Sequence, residues 1–102
     1  MKHYRQGDVL LLEAALPDAE QQEVPRDGGR IVLAYGEVTG HAHAIATPSA
    51  RLIEAFQNHY VTSDTDFEVT HEEHDTVRVP AGTYQVIRQR EYAPDVIRPV
   101  SD

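Results

Sequence analysis

Along residues 67–90 the side chains alternate in character, and this two-residue period restricts the possible fold more than any other feature. Phe67, Val69 and His71 alternate with Glu68 and Thr70, the pattern of a strand with one buried face. Thr76 to Val79 is extended in character, Pro80-Ala81-Gly82 supplies a turn, and Thr83 to Arg90 is a β-branched and aromatic run. In that run Tyr84 and Val86 share one face and Ile87 takes the other. Upstream, Val9 to Leu12 follows Gly7-Asp8 and reads as a buried strand. Arg30 to Tyr35 is apolar on both faces, which predicts a central strand; Gly36 interrupts it, and Glu37 to Ile45 resumes an extended pattern. Ala50 to Phe56 (ARLIEAF) fits a short helix or a strand, and its neighbours favour strand. Tyr60 and Val61 lead into the polar turn Ser63 to Asp66. The segment 17–29, with Pro17, Pro25 and Gly28-Gly29, predicts an exposed loop, and 93–102, with Pro94 and Pro99, an irregular tail. The expectation is one all-β domain over residues 1–102, a small barrel or sandwich.

Composition narrows the partners. In 102 residues only 40% are apolar and 7% aromatic, so the core must be thin, and a homodimer partner could cover what remains exposed. The net charge of −8 repels phosphate backbones and argues against general nucleic-acid binding and against anionic membranes. Without cysteine, disulfides and thiolate ligands are excluded. The segment MKHYRQGD has no apolar signal core, and no stretch approaches membrane-spanning length, so a cytoplasmic location is expected.

The chemistry is concentrated in histidine. Four of the six form two couples, His41 with His43 in GEVTGHAHAI and His71 with His74 in VTHEEHDTV. On an extended strand His41, His43 and Ile45 share a face, and the two imidazoles stand roughly 7 Å apart at Cβ, close enough to converge on one ion. Gly36 and Gly40 bracket that run and permit a bulge that would aim the rings. His71 and His74 converge only if Glu72-Glu73 turns or bulges, or if that segment is one helical turn. Neutral imidazoles with one carboxylate suit a divalent ion such as zinc, nickel, manganese or iron. The plainer alternative is a solvated acidic turn with surface histidines, and for the isolated His3 and His59 the surface reading is preferred.

Two resemblances follow from these residues. Gly36, His41 and His43 look like the first motif of the cupins, and Pro80-Ala81-Gly82 looks like the PxG of the second. That resemblance implies a cupin-like barrel with a metal held by three histidines and a glutamate. The chain departs from the pattern: the next glutamate after His43 in the motif's direction is Glu54, and Gln85 stands where the last histidine falls. Separately, YRQGDV, GEVTGHAH, THEEH and PAGTYQVIRQREY resemble the signature blocks of a small uncharacterised bacterial or phage-borne family.

Three functions compete. The first is a metal-binding β protein, hydrolytic or sensing, acting on a small-molecule ligand or substrate. His41, His43, His71 and His74 would be its ligand pool, Glu72 or Glu73 a carboxylate ligand or general base, and Tyr84 and Gln85 a pocket wall. The second is a metal-free phosphoryl-transfer or nucleotide-cleaving enzyme, with His41 and His43 as acid and base and Arg88 or Arg90 on the phosphate. The third is a non-catalytic, homo-oligomeric module pairing through the alternating run Thr83 to Tyr92.

Overall fold

The structure, a computed structural model, describes residues 2–36 and 38–89. The chain opens with β1 (His3–Gln6) and β2 (Val9–Glu13), a hairpin closed by Gly7-Asp8, in which His3 faces Leu12 and Gln6 faces Val9. A two-residue strand, β3 (Gln22–Glu23), lies within the largely exposed 17–29 segment. Then come β4 (Ile31–Tyr35), β5 (Ala42–Ile45), β6 (Arg51–Ala55), β7 (Asn58–Ser63), β8 (Phe67–His71), β9 (His74–Val79) and β10 (Gly82–Arg88). The ARLIEAF segment is thus a strand, and no α-helix occurs among the described residues.

The strands form two antiparallel sheets. One has six strands in the order β1-β2-β10-β7-β6-β3, and the other has four in the order β4-β5-β8-β9. Between them lies one continuous core of Val9, Leu11, Ile31, Leu33, Ile45, Leu52, Val61, Phe67, Val69, Val79, Tyr84 and Val86. Each contributes through the inward half of an alternating strand, which is why a thin apolar fraction suffices. A second, smaller cluster of Ile53, Ala55 and Tyr60 sits on the outer face of the six-stranded sheet under Ala14 and Leu16.

Two expectations are corrected here, and one choice is settled. Of the barrel and the sandwich expected from the sequence, the fold is the sandwich, and it does not close: β1 and β9 are edge strands with no ladder between them. The buried Gln6 side chain spans that gap instead, its Nε2 donating to the carbonyls of Val69 and Asp75, both at 2.9 Å. β4 is an edge strand, although its sequence is apolar on both faces. Its ladder to β5 slips between Val32 and Ala34, and this bulge brings Ala34 as well as Leu33 against the core. Finally, β10 is an inner strand of its sheet, laddered to β2 over residues 84–88 and to β7 over residues 82–86, and not the edge strand that association through this run calls for; residues 90–92 of the run lie outside the described residues.

Candidate metal centre

At one rim of the sandwich three chain segments meet: the Gly7-Asp8 turn, the start of β5 and the Glu72-Glu73 turn between β8 and β9. His71 and His74 are the ladder pair that flanks this last turn, so they project from one face. A register shift in the β8–β9 ladder between Val69 and His71 re-aims the end of the hairpin. The bulge anticipated between Gly36 and Gly40 falls instead within β4, opposite the β5 strand that carries His43.

The two histidine couples come together. The His71 ring lies 4.4 Å from His43, 4.7 Å from His74 and 5.7 Å from His41, and His43 and His74 are stacked at 5.6 Å. One nitrogen from each of His43, His71 and His74 falls within 4.8 Å of the others. A tetrahedral ion with metal–nitrogen bonds of about 2.0–2.1 Å holds its ligands about 3.3 Å apart, so modest ring rotation would close the set. A second group within the same limit is His41, His71 and Glu72. His43 is buried, His41 and His71 are half-buried, and His74 is exposed, so the set runs from the interior to the surface. His3 is exposed and His59 half-buried on β7, apart from this rim.

Hydrogen bonds fix the buried ring. Because the Gln6 amide nitrogen is occupied by two carbonyls, its Oε1 must be the atom 2.8 Å from His43 Nδ1, and an oxygen there can only accept. His43 therefore carries a proton on Nδ1, so in the neutral ring Nε2 is the nitrogen that offers a lone pair. That Nε2 faces the Asp8 carboxylate at 3.5 Å. Gly7 makes the approach feasible. Its φ is +59°, and a Cβ there would lie 2.9 Å from His74 Nε2 and 3.2 Å from His43 Cε1.

Carboxylates line the outer half. Glu72 Oε1 accepts from the Ala42 amide at 2.9 Å, and Glu73 Oε2 lies 3.4 Å from His41 Nδ1. The Ala42 amide and then its own backbone amide hold the Glu72 carboxyl below its ordinary pKa; slight burial opposes this, and His41 and His71 add smaller pulls downward. The Glu73 amide in turn donates to His71 Nδ1 at 3.0 Å.

The remaining residues singled out from the sequence fall elsewhere or at the margin. Tyr84 is a core residue: its hydroxyl donates to the Pro80 carbonyl, and its ring meets Tyr4 and Phe67 edge-on. Burial pushes its pKa up. Gln85 alternates with Tyr84 and so faces away from the core. Pro80-Ala81-Gly82 joins β9 to β10 at the end of β10 remote from the histidine rim, so it does not complete a cupin-type site. Arg88 lies next to the centre, paired with Val9 in the ladder, and its Nη1 donates to the Leu33 carbonyl at 3.3 Å. Arg90 and the 93–102 tail lie outside the described residues.

Residues 5–89 match the family described as a domain of unknown function, DUF8820. The chain belongs to the DUF8820 family. No curated protein and no solved structure matches it. The DUF8820 match opens at Arg5 and so includes the Gln6-Gly7-Asp8 turn along with all four clustered histidines. That turn was the part of the site sequence reasoning did not assign. Its signal was the Gly7-Asp8 pair between a polar and an apolar run, but nothing in the sequence says which rim such a turn will face.

Proposed function

We propose that this DUF8820 domain binds one divalent transition-metal ion, of the zinc class, through His43, His71 and His74. The observation that carries the reading is the convergence of three imidazole nitrogens within 4.8 Å, with the buried ring locked in the tautomer that offers Nε2. The carboxylates of Asp8, Glu72 and Glu73 at the same rim give the site the negative surroundings a cation needs. Three imidazoles leave a fourth position for water, and an ion so held lowers the pKa of that water and acts as a Lewis acid. Asp8, beside His43, would be placed to accept a proton from that water, so hydrolysis of a small substrate is the chemistry this arrangement favours.

The test is elemental analysis and calorimetric titration of untagged protein with zinc, nickel and manganese salts. One ion per chain is expected, with His43→Asn and His74→Asn each weakening zinc binding by more than about tenfold, since even loss of an outer-shell partner costs 10- to 100-fold. Wild-type affinity in both variants would remove the centre from these residues.

A further inference from the structure

His71 belongs to both donor groups. The inner one is His43, His71 and His74; the outer is His41, His71 and Glu72. A neutral imidazole has a single nitrogen lone pair to give. In the structure that lone pair, on Nδ1, accepts the Glu73 amide at 3.0 Å, so an ion in either group must take it from this hydrogen bond. The two groups differ in chemistry as well as in position. The inner set is all imidazole and includes the buried His43. The outer set is two imidazoles and a carboxylate, with Glu72 exposed and already anchored through Oε1 by the Ala42 amide, while Glu73 Oε2 stands 3.4 Å from His41.

We infer that the outer group is a second cation position that cannot be filled together with the inner one, and that it is the position through which a divalent ion enters. The inference builds on the inner site proposed above. An arriving ion meets the exposed carboxylates and His41 first, gains His71, and moves inward when that ring exchanges His41 and Glu72 for His43 and His74. Two imidazoles with a carboxylate accept manganese, iron and cobalt as well as zinc, whereas three imidazoles favour zinc, copper and nickel. The outer position is therefore the less selective of the two.

Cobalt(II) chloride titration of the untagged full chain, read by visible absorption and by equilibrium dialysis, tests this. The wild type is expected to bind one cobalt. H43N/H74N, lacking the inner set, should still bind one, weaker by at least about tenfold, and adding H41N/E72Q should abolish that residual binding. H41N/E72Q alone should still bind one cobalt, with affinity lowered less than in H43N/H74N, but load more slowly in stopped-flow mixing. Circular dichroism and thermal unfolding of each variant confirm that it folds. Two cobalt ions on the wild type would overturn the exclusivity. A folded H43N/H74N that binds none, or residual binding indifferent to H41N/E72Q, would overturn the outer position while leaving the inner site standing. Wild-type binding that depends on His41 and Glu72 and ignores His43 and His74 would instead remove the inner site and leave the outer one.

Discussion

Gly7 and Gln6 serve the rim in different ways, and substitution separates them. At Gly7 an added methyl meets the ring ends of His74 and His43, not backbone, so the side chains can move aside. The fold then loses about 1–2 kcal/mol for a left-handed non-glycine residue, but the two imidazoles lose their mutual placement. Gly7→Ala is thus expected to lower zinc affinity, measured by calorimetry, by much more than its change in denaturation midpoint implies. Gln6→Leu acts in the opposite sense. It strips the carbonyls of Val69 and Asp75 of a buried donor, at about 1–3 kcal/mol by urea unfolding, and it also releases the His43 tautomer. Nitrogen-15 NMR of His43 should show a single Nδ1–H form in the wild type and a mixture in Gln6→Leu. An unchanged tautomer would mean that the ring is held by something other than Gln6.

At the level of elements, the β6–β7 hairpin is strained where the β8–β9 hairpin is not. Phe56 and Gln57, the two residues of its turn, both have positive φ, +54° and +64°, and Phe56 is 71% exposed. Asn-Gly suits a turn with two left-handed residues, and no core contact is lost by the exchange. F56N/Q57G is expected to stabilise the domain by about 1–2 kcal/mol, a rise in thermal midpoint of roughly 4–16 °C for a domain of this size. This same turn shows why the sequence was only partly legible. Strands with one buried face announced themselves, as β8 and β10 do through Phe67-Val69 and Tyr84-Val86. The hairpin at Phe56-Gln57 lacks turn chemistry, so ARLIEAF remained open between helix and strand. β1 is polar in sequence and was not foreseen, since its place depends on pairing with β2 and on the reach of Gln6. The apolar faces of β4 suggested a central strand because a bulge, invisible in the residue pattern, turns both Leu33 and Ala34 inward. The histidine couples were legible as metal-ligand residues, but their meeting needed the β8–β9 turn and the β5 register, which spacing alone does not supply.

At the scale of the molecule, three of the four clustered histidines, His43, His71 and His74, belong to the four-stranded sheet and His41 directly precedes its β5, and that sheet is joined weakly at its centre. Among the described residues β5 and β8 share the single ladder pair Ala44 and Thr70, supplemented by the Thr70 hydroxyl donating to the Ala44 carbonyl at 3.3 Å. An ion held by His43 of β5 and by His71 and His74 of the hairpin would cross-link the sheet where its ladder is thinnest. Metal binding is then a stabilising term for one layer of the sandwich more than for the other. With free zinc at 100 times its dissociation constant the native state gains about 2.7 kcal/mol, which for a domain of this size raises the thermal midpoint by roughly 10–20 °C. Hydrogen exchange should show the gain in the amides of β5, β8 and β9, with β6, β7 and β10 changing less at temperatures where unfolding is local. EDTA should return both the midpoint and the exchange pattern to those of the metal-free chain. A uniform gain in protection across both sheets would mean that the ion stabilises the fold only globally, and no gain at all would mean that the imidazoles meet without a metal to join them.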